Sequence, residues 1–484
     1  MPDLVIFGAG ARAKTFYEWA VMARYTVLFF VDNDPDKWGI TICGIEVSPV
    51  QRLASCQCKV LIGEKYQDEI VRQLKEQSFK GEIISFDDVI REIVLQERKA
   101  VPSGTLAQKA RTSYVLNSYM KESTWGGIES WSCFVANALK AHNRPVVLMC
   151  GDNPRFDRKM NPCIHFNGER ETDIVEDMIR EIQMRFPCVM ITHVSLALYA
   201  ALIVQRRFPE QIKIVLVVHG LDPQVNRFKS VAYWADQMDA VVCVSREIET
   251  VLREVYKIPS QKLLYRVNPI PLPRKIDRGK QTDKLKIAFA ARLHKSPKRA
   301  DLLPRIIDMC LSKGLDVEFN IAGDGDCSEL LREYVSSHHL EDRVHLLGWV
   351  SPDKMVSFWM EQDIYLNLST FEGMSLTMLE AMACGAVPIV TDVSGVRDMI
   401  EDGKNGAIVP VDQWERVLEK ISGAYQNREW LRQAGEYNVK LVREKCDVEQ
   451  YADWIEQTFC LDESDREMKN FTYAEEGICS PDQM

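Results

Sequence analysis

One stretch constrains this chain more than any other: YLNLSTFEGMSLTMLEAMACGAVPIVTDVSGVRDMIEDGKNGAIVP, from Tyr365 to Pro410. Its first residues, Tyr365 to Leu368, predict a strand, the Ser-Thr-Phe-Glu-Gly run a tight loop, and the residues from Leu376 a short helix that stops at Gly385. A β-branched strand then begins at Val387. Strand, loop, helix and strand in this order form a parallel α/β unit, whose ligands sit at the carboxyl ends of the strands. Two carboxylates flank the loop and helix. Glu372 stands where the amides of Gly373, Met374, Ser375 and Leu376 leave a helix N-terminus and can hold an anion. Glu380 stands among Leu376, Met378, Leu379, Ala381, Met382 and Ala383. A carboxylate with such neighbours needs a partner, and sugar hydroxyls supply one.

Two glutamates at this spacing occur by chance in many chains, and a helix with a solvated acidic face is the bland alternative. The whole block is more specific. Glu372-Gly-Met-Ser-Leu-Thr-Met-Leu-Glu380, followed by Ala-Met-Ala-Cys-Gly and ending in Asn-Gly-Ala-Ile-Val-Pro, resembles the E-x7-E signature of retaining nucleotide-sugar glycosyltransferases of family 4. The resemblance implies the GT-B fold, two facing Rossmann-like α/β domains. Ahead of them stands a further small Rossmann-like α/β segment.

The 484 residues allow about three domains. A net charge of -10 argues against general nucleic-acid binding, which needs a basic face for the phosphates. No run approaches the roughly 20 apolar residues of a membrane span, and the apolar start MPDLVIFGAG lacks a preceding basic region, so a cytoplasmic protein is expected. Fourteen cysteines are scattered through apparent strands and helices, as free thiols of a reducing compartment would be. Cys56 and Cys58 have no second pair or histidine near them in sequence, and no metal is expected.

Residues 1–98 have their own α/β rhythm: strands at Leu4–Phe7, Tyr25–Val31, Lys59–Ile62 and Glu82–Phe86, with a helix at Gln67–Glu76. Gly8-Ala-Gly10-Ala-Arg-Ala13 turns between the first strand and a helix, and Asp32 closes the next strand. This is the order of a dinucleotide site, with glycines admitting a phosphate and an acid taking ribose hydroxyls. A tight turn without a ligand is the competing reading. The segment resembles the small Rossmann-like domain at the front of some bacterial sugar-modifying enzymes, which makes NAD or another nucleotide its candidate ligand. No histidine precedes His142, and no Tyr-x-x-x-Lys occurs in residues 1–100, so two familiar hydride-transfer acids or bases are missing. A polar stretch with Pro102, Ser103 and Gly104 reads as a linker.

A second α/β region is expected at 112–275, a third at 284–446, a final helix at 447–460 and an acidic flexible tail at 461–484. Gly126 and Gly127 precede a helix and clear space for a close approach, and Gly-Gly-Ile-Glu129 resembles the family's glycine-rich loop. His219 ends the apolar strand Ile214–Val218 and matches the family's histidine near the donor sugar, although a lone histidine is more often structural. After the strand Lys286–Ala291, Arg292 and Lys298 offer a planar fork and a point charge for phosphate oxygens. The resemblance makes them the basic pair for the donor diphosphate. Asp324-Gly-Asp326 matches the family's Gly-Asp-Gly turn better than a metal site, and Trp349-Val350 stands where the family holds the base. In the family the last helix crosses back to the first transferase domain.

The expected activity is retaining, hexosyl-type transfer from a nucleoside-diphosphate sugar to a saccharide or lipid-linked acceptor, with no cofactor. Bacterial surface polysaccharide or glycoconjugate synthesis, with peripheral association at the inner membrane face, is the setting the resemblance implies. Arg292, Lys298 and the amides of Gly373, Met374, Ser375 and Leu376 would hold the diphosphate, Glu380 the ribose, and Glu372 and His219 the sugar. Gly126, Gly127 and Val350 complete the donor site. A catalytically silent sugar-nucleotide-binding subunit, or a bifunctional enzyme with redox or epimerase chemistry in its first domain, is the alternative.

Overall fold

A computed structural model of the chain describes residues 1–63, 67–99, 111–118, 126–150, 163–166, 168–220, 227–278 and 284–461. Most of the linker and nearly all of the tail read from the sequence lie outside these residues. Three sheets follow one another along the chain. The first contains β1 (Asp3–Phe7), β2 (Thr26–Asp32), β3 (Thr41–Ile42), β4 (Ile45–Pro49), β5 (Lys59–Ile62) and β6 (Glu82–Ile84), in the order β3-β4-β2-β1-β5-β6. Every pairing is parallel except the β3–β4 hairpin. The strand read as ending at Phe86 ends at Ile84, because Ser85 accepts the amide of Asp88 and caps a helix at Phe86–Gln96.

The second sheet contains β7 (Ser113–Ser118), β8 (Val146–Cys150), β9 (Cys163–His165), β10 (Cys188–Thr192), β11 (Ile212–Val218), β12 (Ala240–Cys243) and β13 (Leu263–Tyr265), in the order β13-β12-β11-β10-β7-β8-β9. The third contains β14 (Leu285–Ala290), β15 (Val317–Ala322), β16 (Val344–Gly348), β17 (Ile364–Asn367), β18 (Val387–Thr391) and β19 (Ala407–Val409), in the order β16-β15-β14-β17-β18-β19. Both are wholly parallel. Parallel strands are covered on both faces, which explains the unbroken apolar runs at Ile364–Asn367 and Val387–Thr391, where every residue is buried.

One buried apolar cluster continues from the first sheet (Leu4, Trp19, Ile90) into the second (Tyr199, Leu216) and on to Met374 and Leu376. The third sheet has a core of its own around Ile287, Phe319, Ile364 and Ile389. Phe86 meets Trp19 and Tyr199 edge-on, with centroids 5.7 and 5.9 Å away, and Arg207 holds Glu97 in a fork with bonds of 2.6 and 2.8 Å. The first and second domains are thus joined by core as well as by surface.

The chain passes twice between the second and third sheets. The two passages are fastened together: Ile270 N–H donates to Cys446 O at 2.8 Å and Val448 N–H to Ile270 O at 3.2 Å. The helix Val448–Phe459 then lies on the helix Gly127–Ala141, where Tyr451 packs edge-on against Trp131. Glu456 receives His142 at 2.8 Å and Arg144 at 2.6 Å. Among the described residues no helix is long and apolar enough to cross a membrane.

Candidate active site

Strand carboxyl ends of the second and third sheets face each other across a cavity of about 700 Å³. On one wall β17 runs into the loop that carries Glu372, and Ser375 caps the helix Leu376–Ala383 by accepting the amide of Met378 at 3.3 Å. The carbonyl of Met374 is held by Asn268 Nδ2 at 3.0 Å, from the passage between the domains. Gly373 pairs with Gly220 of the opposite wall in an antiparallel bridge, and a Cβ on Gly373 would lie 1.9 Å from the carbonyl oxygen of His219. Only glycine permits this approach.

Charge is arranged unevenly around the cavity. Arg292 is exposed on its wall. Lys298 forms an ion pair with Glu372, whose same oxygen accepts the Ser369 hydroxyl at 2.8 Å. Expected to have separate tasks, Lys298 and Glu372 are paired by the fold, so a ligand that takes either one must share the pair. Burial pushes the Glu380 carboxyl up to about 7, against the lowering influence of the Trp359 indole. The helix N-terminus at Ser375 to Leu376, whose first amides have no acceptor within the helix itself, lies on the same wall.

On the opposite wall, burial, and then the neighbouring His193, hold His219 well below the usual histidine range, so its ring is neutral. The rings of His193 and His219 stand 4.7 Å apart, with Trp131 at 5.1 Å from His219. His193 is fixed between the carbonyls of Val217 and Asn117 at 3.3 and 3.2 Å. Among the described residues the buried Nε2 of His219 has no hydrogen-bond partner. It is therefore a polar atom of that wall with capacity for a ligand. Glu129, fully buried, accepts the amide of Gly126 at 2.8 Å and fixes the turn that brings Gly126 and Gly127 to the cavity. Burial raises its carboxyl to about 7.

All the residues read as a donor site line this one cavity: Gly126, Gly127, His219, Arg292, Lys298, Val350, Glu372, Gly373, Met374, Ser375, Leu376 and Glu380. Sequence reasoning missed His193, Ser369 and Trp359. His193 follows a buried, largely apolar strand, as His219 does, and that parallel was the available signal. The Asp324 carboxylate accepts the amide of Trp349 at 3.1 Å, and Asp326 pairs with His294 at 3.1 Å.

Gly8, Gly10 and Asp32 lie apart, in the first domain. Gly8 has φ +113, a conformation that favours glycine. Asp32 accepts the amides of Ala9 at 2.7 Å and Asp34 at 2.9 Å and pairs with Lys37 at 3.1 Å. Burial opposes its ionisation, yet these three partners outweigh it and lower its carboxyl. The acid expected to meet a ribose is thus committed to the turn itself.

Two facing parallel α/β domains with a cavity at their strand ends, joined by a double passage, define the GT-B glycosyltransferase fold. Residues 125–272 match the family model described as Glycosyltransferase Family 4, and residues 274–441 the one described as Glycosyl transferases group 1. Among solved structures, the pneumococcal O-GlcNAc transferase GtfA in complex with UDP and GlcNAc superposes with a TM-score of 0.61 at 15% identity, over 72% of this chain and 99% of that one. At that identity the likeness is one of fold. The phosphatidylinositol N-acetylglucosaminyltransferase GPI3 subunit of Saccharomyces cerevisiae (strain YJM789) is 31% identical over 180 residues, 36% of this chain and 40% of that one. The N-acetyl-alpha-D-glucosaminyl L-malate synthase of Bacillus anthracis is 25% identical over 266 residues, 51% of this chain and 68% of that one. The match thus spans about two fifths of the length of the first of these relatives.

Proposed function

We propose that the protein is a retaining glycosyltransferase that moves a sugar from a nucleoside-diphosphate sugar to a saccharide or lipid-linked acceptor, in the synthesis of a bacterial surface polysaccharide or glycoconjugate. The observation that carries this reading is the convergence of Arg292, Lys298, the amides at Ser375 and Leu376, and Glu380 on one interdomain cavity. The first three suit a diphosphate and the last a ribose. In this reading Arg292, Lys298 and the helix N-terminus stabilise the charge that grows on the leaving diphosphate. Each such prearranged donor is typically worth ~2.7 to 4 kcal/mol. His219, neutral and with a free Nε2, hydrogen-bonds a sugar hydroxyl from the other wall, while Glu372 holds further hydroxyls. The leaving phosphate takes the acceptor proton.

The relatives' names favour a UDP-N-acetylhexosamine donor, since the GPI3 subunit and the malate synthase are both named for N-acetylglucosaminyl products. The test is turnover of UDP-N-acetylglucosamine with a panel of saccharide and lipid acceptors, followed by proton NMR of the first product. An α-linked product, with the donor's configuration kept, is expected; an inverted anomer removes the reading. For the first domain we infer a nucleotide ligand at Gly8 and Gly10, with Asp32 shaping the turn through Ala9 rather than touching the ribose. Calorimetric titration of the full chain with NAD should then show binding that Asp32→Ala abolishes, and no heat from NAD ends this inference.

A further inference from the structure

The helix Arg227–Trp234 has the cavity on one side and the first domain on the other. Phe228 and Val231, three residues apart, line the cavity. Ser230, Tyr233 and Trp234 point the other way, into the first turn of the helix Phe86–Gln96. The Ser230 hydroxyl donates to Asp87 Oδ2 at 2.6 Å, Trp234 Nε1 to Asp87 Oδ1 at 2.7 Å, and the Tyr233 hydroxyl to Asp88 Oδ1 at 2.6 Å. Both oxygens of Asp87 are therefore taken by the second domain. The other oxygen of Asp88 closes the cap with Ser85, and the N-terminus of their helix favours both charges. An interface that only glued two domains would need apolar area, which Phe86 and Tyr199 already provide nearby. Here three short, directional bonds hold a single helix whose opposite side is a wall of the cavity.

We propose that Asp87 and Asp88 are positioning residues for the acceptor half of the cavity: the first domain fixes the helix Arg227–Trp234 and through it the placement of Phe228 and Val231. The proposal rests on the transferase reading above and adds to it that the acceptor lies beside Phe228 and Val231 on the second domain's wall, while the nucleotide lies against the third domain. Partly buried bonds of this kind are costly to leave unmade, so losing them loosens the helix.

The test uses the full chain with Asp87→Asn and Asp88→Asn, singly and together, and Tyr233→Phe as the milder variant should the double one fail to fold. Glu97→Gln, which breaks the Arg207 pair at the same domain boundary, is the control. Three readouts separate positioning from mere stability. Hydrogen exchange at amides 228–234 should rise by about tenfold in the aspartate variants and stay unchanged in the control. The Kd for UDP, which probes the donor half, should stay within about twofold. Sugar from UDP-N-acetylglucosamine should be partitioned about fivefold further toward water and away from octyl glucoside. Unchanged exchange at 228–234, or UDP binding weakened as much as acceptor use, overturns the proposal. A wild-type chain that neither hydrolyses nor transfers the sugar sinks the transferase reading instead, and the exchange measurement still decides whether the first domain holds the helix.

Discussion

Glu380 and Glu372 sit on the same wall and should fail in different ways. Glu380 has its carboxyl raised to about 7 from the usual 4.5, so the folded form holds a proton that the unfolded form has lost between those values. Its contribution to stability is present below about pH 4.5 and is lost as pH rises through about 7. A ribose bound to the ionised carboxylate reverses the bias. UDP should bind more tightly as pH rises through that range, and at neutral pH it should release protons, seen as a dependence of calorimetric heat on the buffer's ionisation enthalpy. Glu380→Gln should abolish the release and weaken UDP about tenfold. Glu372→Gln should cut turnover about 100-fold while leaving UDP affinity intact or improved, because Lys298 loses the carboxylate that competes with phosphate. Equal losses of UDP affinity in the two variants would refute these roles. This part of the site was legible because a loop and the first turn of its helix fix their own geometry. His193 was not, since it reaches His219 only through the pairing of β10 with β11, and sheet order is not written in either strand.

At the scale of elements, the last helix depends on a half-buried acid. Glu456 holds both His142 and Arg144, and burial lowers the His142 pKa less than Glu456, Asp453 and Glu449 raise it. A histidine raised by a partner stabilises fully below its unfolded value of 6.5 and loses that contribution as pH rises through its folded value. Glu456→Gln should therefore lower the Tm more at pH 6 than at pH 8, with part of the loss persisting at pH 8 because Arg144 stays charged. Equal loss at both pH values would remove His142 from the account. The strands that were read, such as Lys59–Ile62 and Ile214–Val218, hold to within two residues, since parallel strands covered on both faces are apolar runs, whereas β4, β8, β10 and β16 were not read. The helix Phe86–Gln96 escaped the reading although Ser85 and Asp88 stood at capping distance in the sequence. Its apolar side, with Val89, Ile90, Ile93 and Val94, follows helical spacing, but Phe86 had been absorbed into the preceding strand. What that helix packs against was not legible at all, because its partners Tyr199 and Tyr233 lie more than a hundred residues away.

For the whole molecule, the continuity of core between the first and second domains predicts linked unfolding. A chain beginning at residue 112 would expose Tyr199 and Trp234, both buried against the first domain's side. It should be insoluble or lose on the order of 10 °C in Tm, read by a thermal melt. A soluble fragment with the full chain's Tm would mean that the first domain is merely appended.

Between the second and third domains the buried apolar cluster continues into the wall of Met374, Leu376 and Met378, the third sheet keeps a core of its own, and two stitched passages of chain join them. Because Ile270 is bonded on both sides to the returning segment at Cys446 and Val448, the two passages behave as a single leaf rather than two tethers. A leaf bends across its width far more easily than it shears or twists. Bending of the two halves about this leaf should then open the Gly220–Gly373 bridge, and a pair of fluorophores across the mouth of the cavity would read it.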